Sequence, residues 1–429
     1  MEHVIAARAQ MGTSLAFHIV FAALGVGLPL LVVIAEGLWL RTGRRAYYDL
    51  ARTWSKAMAI LFAVGAVSGT ILSFELGLLW PEFMRYAGGI IGLPFSLEGF
   101  AFFVEAIFIG LYLYGWDRLT PLQHWLCGLP IAISGPASAA FITMANAWMN
   151  MPTGFRLHDG RVVDVHPIAA MFSAPWLVEV LHSTVAAYVL TGFGAAAVCA
   201  LALLRRNAEG RRDQVRAGLT IAMAVAAVAI PAQWVVGDVL ARFDAEHEPA
   251  KFASLEALWK TQRFAPMTIG GIVGDGETRF GIEIPGGLSV LVAMDPRAEV
   301  TGLDRIPRDD RPPVALVHAS FDVMVGCASA LLLTALAWAF VTLRKRDAPR
   351  MLLLAITVSG VLSVVAVEAG WFVTEFGRQP WVARGLLRTA DAVTVAPGLE
   401  LQFYGFSAIY VVLGLTCAWL VRRVGATSP

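Results

Sequence analysis

Nine apolar stretches, separated by polar connections, run along the chain at approximately Met11–Leu40, Thr53–Leu79, Pro94–Tyr114, Gln123–Trp148, Trp176–Leu204, Val215–Leu240, Val314–Leu343, Met351–Val373 and Glu400–Val421. About 20 apolar residues in a helix cross a hydrocarbon core of roughly 30 Å, so each stretch is long enough to span a bilayer. The pattern predicts an all-α integral membrane protein: a bundle of about nine transmembrane helices forming a single membrane domain over residues 1–429. There is no internal repeat, low-complexity tract or separate soluble domain. One connection differs from the rest. Residues 241–313 are polar and rich in charge, Gly and Pro, and loops of that length are usually either functional or disordered.

Composition agrees with the pattern. The chain is 57% hydrophobic and 15% charged, against about 25% charged in a soluble domain. A formal net charge of +1, with no basic cluster interleaved with aromatics, argues against a nucleic-acid partner. Met1–Gln10 is polar and the first apolar run is too long for a signal-peptide core, so no cleavable leader is expected. Cys127, Cys199, Cys327 and Cys417 lie in separate apolar stretches without C-x-x-C spacing, which reads as four buried thiols.

Charge then orients the bundle. Arg41, Arg44, Arg45, Arg52 and Lys56 follow the first stretch, Arg118 the third, and Arg205, Arg206, Arg211, Arg212 and Arg216 the fifth; Arg344, Lys345, Arg346 and Arg350 follow the seventh, and Arg422 and Arg423 the ninth. The short connections on the other side carry only Arg8, Arg85, Arg156, Arg161, Arg378, Arg384 and Arg388. The positive-inside rule puts the N-terminus outside and the C-terminus in the cytoplasm.

Residues 97–110 read LEGFAFFVEAIFIG and place Glu98 and Glu105 in an apolar run. An ionisable group at the bilayer centre costs about 2.5–3.5 kcal/mol, so it usually faces a pathway or a partner. Seven residues apart, the two carboxylates share one helix face at roughly 10 Å separation. Counted from the starts of their stretches, His18, Glu98, His182 and Met324 fall in the outer half of the membrane, as does Glu368 near the end of the eighth stretch; Glu105 lies near the middle. A shared level suits a cluster of cofactors. Imidazole and thioether are the axial ligands of low-spin haem iron, a role that His182 and Met324 fit, which leaves His18 and the carboxylates for other irons. The same residues also read as packed histidines, a core methionine and a transporter's ion path, and spacing alone leaves these readings open.

The wording of the segments is more specific. VEAGWFVTEFGRQPW (Val367–Trp381) resembles the signature of subunit I of the cytochrome bd quinol oxidases. The resemblance continues through RAQMGTSLAFHIVF, SLEGFAFFVEAIFIGLYLYGWDR, ITMANAWMNMPTG, EVLHSTVAAY, KFASLEALWKTQ and HASFDVMVGC, in order along nearly the whole chain. It implies that His182 and Met324 ligate a low-spin haem b, and that His18 and Glu368 ligate two high-spin haems. One of those is a high-spin haem b; the other is haem d or a further high-spin haem b. Glu98 matches the carboxylate at that pair, and Glu105 with Ser138 matches a proton route to the oxygen site. Lys251 and Glu256 match outer-loop residues linked to quinol oxidation, which would make residues 241–313 the quinol-binding loop. Arg378, and likewise Arg8, is left to pair with a haem propionate or to be solvated.

The implied activity is oxidation of quinol on the outer side and reduction of O2 to water with cytoplasmic protons, generating a membrane potential without a pump. The implied location is the bacterial cytoplasmic (inner) membrane. The implied partners are a haem-free second membrane subunit and, in some members, a single-helix small subunit. The Lys251–Glu256 stretch reads as a short amphipathic segment able to hydrogen-bond a quinol and take its proton, or as a surface helix with a solvated ion pair.

The chain departs from the family pattern in three places. The two glutamates of the third stretch are one residue closer than in many members; an arginine often found two before the methionine ligand is Asp322; and a tryptophan often found four before the eighth-stretch glutamate is Val364. The loop lacks a large insertion, as in the short-loop, cyanide-insensitive branch. Two other readings stand beside the oxidase: a proton- or ion-coupled transporter using Glu98, Glu105 and Glu368, and a family member that keeps haems for electron transfer alone.

Overall fold

The computed structural model describes residues 3–205, 210–274 and 276–427; Arg206, one of the basic residues named above, lies outside them. Thirteen α-helices are described: α1 (His3–Thr42), α2 (Arg45–Leu79), α3 (Pro81–Gly115), α4 (Pro121–Asn150), α5 (Pro167–Met171), α6 (Trp176–Leu204), α7 (Arg212–His247), α8 (Pro249–Leu255), α9 (Gly287–Ala293), α10 (Val314–Leu343), α11 (Arg350–Arg378), α12 (Thr389–Ala392) and α13 (Leu399–Thr427). Nine of them, α1 to α4, α6, α7, α10, α11 and α13, are long and apolar enough to cross a membrane.

The helices overrun the apolar stretches. α3 begins at Pro81, with proline at the first turn where its missing N–H costs nothing, and runs on through Pro94. Apolarity marks only the lipid-facing part of a helix, so Pro94 looked like a start and is an interior residue. α11 likewise continues to Arg378, which makes that arginine helical rather than part of a loop. At the other end of the bundle α4 starts on a capping box, in which Thr120 and Gln123 satisfy each other's backbone donors.

α6 is the hub of the bundle and packs against α1, α4, α7 and α11, while α13 lies along α1 and α2. Small residues permit the close approach: a Cβ on Gly192 of α6 would sit 3.0 Å from the Ala226 Cβ of α7. A core of Leu28, Leu31, Met58, Phe193, Met223 and Leu331 fills the centre.

The long connection is ordered, and α7 carries its first residues as helix to His247. After α8 the chain forms a nested antiparallel ribbon, Gln262–Arg263 with Glu299–Val300, Met267–Ile269 with Ile282–Ile284, and Ile272–Val273 with Thr278–Arg279. Phe252, Leu255, Leu258, Leu288 and Leu303 form an apolar core beneath it, shared with Val317 of α10 and Val373 of α11. The loop is thus docked on the bundle through its own core. Its end of the molecule is called the loop end below, and the arginine-rich end the basic end.

Candidate functional site

Contacts between helices set the levels of the singled-out residues more directly than helix starts do. Glu105 Oε1 faces Gly135 of α4, whose added Cβ would lie 3.7 Å from it and 3.4 Å from the Val26 Cα of α1. His18 is eight positions from Val26 toward the loop end, a rise of about 12 Å, and Glu98 rises about 10 Å from Glu105. His18 and Glu98 therefore share a level, with Glu105 two turns deeper. Both glutamates face α4, since Ser138 Oγ donates to Glu98 Oε1 at 3.2 Å. The seven-residue spacing keeps them on one side of α3.

His18 Nδ1 lies 2.9 Å from Ser68 Oγ, which is also 2.9 Å from Val64 O. With the serine proton directed at Val64 O, the imidazole proton sits on Nδ1 and Nε2 keeps a lone pair for a metal. Glu368 is the opposite case: both of its carboxylate oxygens are buried without a hydrogen-bond partner. As an anion a buried carboxyl in that condition is costly, and either a proton or a cation relieves it.

His182 and Met324 each lie against a glycine. A Cβ on Gly237 of α7 would come within 3.6 Å of His182 Cε1, and one on Gly370 of α11 within 3.0 Å of Met324 Sδ. The amide nitrogen of Gln233 sits 3.2 and 3.1 Å from the two ring nitrogens of His182, and its Oε1 is buried without a partner. Val364, where the family often has tryptophan, packs into an apolar cluster with Ala23, Val26, Ala187 and Leu190.

α8 is not amphipathic. Lys251 is 4% exposed and Glu256 2%, and every residue from 251 to 258 is buried. The two polar side chains point to different neighbourhoods. Lys251 Nζ lies 3.0 Å from Asp244 Oδ2 and 3.7 Å from Glu248 Oε2, its stem against Gly377. Burial alone would lower the Lys251 pKa, but the charges of Asp244, Glu248 and Glu179 reverse that and raise it. The ammonium is within Coulombic reach of His182. Glu256 has an unpartnered, buried Oε2. Burial first, and the negative charge of Asp322 second, push its carboxyl up to about 8. Asp322 stands two residues from Met324, on the same helix.

Arg378 is neither solvated nor in a loop. It is 3% exposed and donates to Asn150 Oδ1 at 3.1 Å and Glu375 Oε2 at 2.8 Å. Asn150 in turn donates to Glu179 Oε1 at 2.9 Å, and Asn146 to Glu375 Oε1 at 3.3 Å. The guanidinium Nε is buried without a partner, as suits an anionic group arriving there. Arg8 is exposed and acts electrostatically on Glu375.

Sequence reasoning passed over several groups. Glu36, His124 and Tyr112 form a buried cluster toward the basic end: His124 Nδ1 lies 2.7 Å from Glu36 Oε1, Tyr112 OH donates to Glu36 Oε2, and His124 Nε2 is 2.8 Å from Tyr112 O. Gln10 donates to buried Glu75 at 3.0 Å. Glu36, Glu75 and Glu179 all sit in apolar stretches, so the test that singled out Glu98 would have found them. His318 and its partner Asp322 were also missed as a pair.

Among the described residues no three His, Cys, Asp or Glu side chains converge on a metal position. The donors come singly: a histidine with a free Nε2, an orphaned carboxylate, and a histidine and a methionine each beside a glycine. Single axial donors are what irons already held by porphyrins require, so the residues present fit haem.

The family model for cytochrome bd terminal oxidase subunit I matches residues 6–429. A provisionally named cytochrome bd menaquinol oxidase subunit I of Bacillus subtilis (strain 168) is 35% identical over 98% of this chain and 96% of its own length. The cytochrome bd-II ubiquinol oxidase subunit 1 of Escherichia coli (strain K12) is 30% identical over 97% and 94%. The solved structure of the bd oxidase from Geobacillus thermodenitrificans superposes with a TM-score of 0.94 at 38% identity, covering 100% of this chain and 99% of that one. These matches displace the transporter reading, and with nine membrane-crossing helices among the described residues they place the protein in the bacterial inner membrane. The chain belongs to the cytochrome bd terminal oxidase subunit I family.

Proposed function

We propose that this chain is the haem-bearing subunit that oxidises quinol at the loop end and serves oxygen reduction inside the bundle. When bound, the haems supply one-electron redox chemistry and the metal at which oxygen is reduced. His182 and Met324 hold the low-spin haem b. His18 and Glu368 hold the two high-spin haems, one of them haem b and the other haem d or a further haem b. Arg378, through its free Nε, and Arg8 receive propionates. A haem-free second subunit accompanies subunit I, and a single-helix peptide is an additional expected partner.

The observation that carries the reading is the seating of α8: Lys251 and Glu256 are buried, and Leu255, next to Glu256, has its carbonyl 2.7 Å from His318 Nδ1 on the helix of Met324. Residues 241–313 are then the quinol-binding loop. Lys251 has three N–H donors; Asp244 takes one at 3.0 Å while Glu248 stands off at 3.7 Å, so a quinol oxygen can take another. Glu256 accepts the quinol proton through its unpartnered Oε2.

The arginine bias puts the loop end outside, so that proton leaves on the outer side. Protons for water enter from the cytoplasm, with Glu105 as the mid-depth relay and the Ser138–Glu98 pair receiving them at the level of His18. Such an arrangement builds a membrane potential without a pump.

The Glu256 carboxyl supplies a test with a definite sign. Its folded pKa of about 8 lies above the ordinary 4.5. The acid form therefore favours folding at low pH, and that contribution is lost as pH rises from the ordinary value through about 8. The base form accumulates over the same window. Quinol oxidation, followed as kcat/KM by oxygen uptake, is expected to rise with pH toward about 8, and Glu256→Gln to abolish that rise and most of the activity. An unchanged profile in Glu256→Gln would remove Glu256 from quinol oxidation.

A further inference from the structure

We propose that His318 and Asp322 are positioning residues for quinol oxidation, clamping the end of α8 that carries Glu256 and the ribbon turn at Gly270 onto the helix of Met324. The proposal rests on the reading of Glu256 as the group that meets quinol. His318 is buried, and both of its ring nitrogens face acceptors. Nδ1 lies 2.7 Å from Leu255 O, and Nε2 lies 3.1 Å from Gly270 O and 3.3 Å from Asp322 Oδ2. The ring thus spans two backbone carbonyls and one carboxylate from three segments of the chain.

Asp322 Oδ2 also accepts the Gly270 N–H at 2.8 Å. Both backbone groups of Gly270 are thus held by side chains of α10. The chain needs that grip where it turns: Gly270 and Gly271 have φ of +68° and +104°, the left-handed region open chiefly to glycine. Leu255, the last residue of α8, directly precedes Glu256. One imidazole therefore ties the backbone beside Glu256, the first turn of the ribbon and the methionine helix into a single unit. Asp322 belongs to this clamp, and its side chain is 23% exposed.

The clamp is tested in the purified two-subunit oxidase by comparing two electron donors. One is a short-chain quinol; the other is a substituted phenylenediamine, a one-electron donor that does not need the quinol pocket. His318→Gln can serve only one of the two carbonyls and is expected to raise the quinol KM about ten-fold. Phenylenediamine-driven oxygen uptake and the reduced low-spin spectrum should stay within about two-fold of the parent. Asp322→Asn keeps an acceptor for Gly270 but loses the charge, and should raise the quinol KM about three-fold. If His318→Gln fails to assemble, Asp322→Asn carries the same test.

Parental quinol KM in both variants would overturn the proposal, as would an equal loss with both donors. Glu256→Gln separates the two levels of inference. If Glu256→Gln is quinol-inactive and His318→Gln is normal, the clamp alone fails. If Glu256→Gln oxidises quinol normally, the quinol-site reading fails and the clamp with it.

Discussion

Glu368 and Met324 illustrate two ways in which a single residue is prepared for a ligand. The Glu368 carboxylate lies buried with neither oxygen engaged, so it is costly until a proton or a cation arrives. The Met324 thioether is seated by what its neighbour lacks: at Gly370 an added methyl would stand 3.0 Å from the sulfur. Gly370→Ala is therefore expected to fold, with an overpacking cost of about 1–3 kcal/mol, and to displace Met324. The reduced-minus-oxidised spectrum should lose or shift its low-spin band while the high-spin signal persists; an unchanged band would mean that the sulfur is not held there by Gly370. At this scale a charge interrupting an apolar run drew attention to Glu98, Glu105 and Glu368, while the same signal at Glu36, Glu75 and Glu179 was passed over. The sequence was silent on partners. Nothing in HASFDVMVGC says that His318 grips Leu255 O or that Asp322 caps Gly270, because those contacts join segments some fifty or more residues apart.

At the scale of elements, α8 departs most from expectation. A lysine and a glutamate five residues apart suggest a surface helix, yet the whole segment is buried. What allows it is a set of counter-charges from elsewhere in the chain: Asp244 at the end of α7, Glu248 just before α8, and Arg384 reaching Glu248 at 3.3 Å. Removing the ammonium leaves buried carboxylates without their cation, a change that typically costs about 3–5 kcal/mol. Lys251→Met is thus expected to loosen residues 248–313, seen as faster proteolytic cleavage there and a lower thermal midpoint, with α1 to α4 still resistant. Cleavage no faster than in the parent would show that the ion cluster does not hold the loop. Helix ends were misjudged for a related reason. Hydropathy reports lipid contact, whereas α3 and α11 continue beyond the apolar stretches as packed helix.

For the molecule as a whole, the nine crossing helices among the described residues could be read from apolar length alone, because a bilayer leaves the backbone few other ways to satisfy its hydrogen bonds. The shared level of His18 and Glu98 could be anticipated only roughly, since it depends on helix–helix contacts such as Gly135 with Val26 and Ser138 with Glu98. On the proposed function, the bundle holds one low-spin and two high-spin haems on His182, Met324, His18 and Glu368. A dithionite-reduced spectrum of the purified complex, repeated after adding carbon monoxide, is the decisive measurement. A low-spin b band indifferent to carbon monoxide is expected together with a high-spin signal that shifts with it, red-shifted where a chlorin is present. A haem-free protein from cells making haem, or a b-type spectrum wholly indifferent to carbon monoxide, would contradict the proposed function.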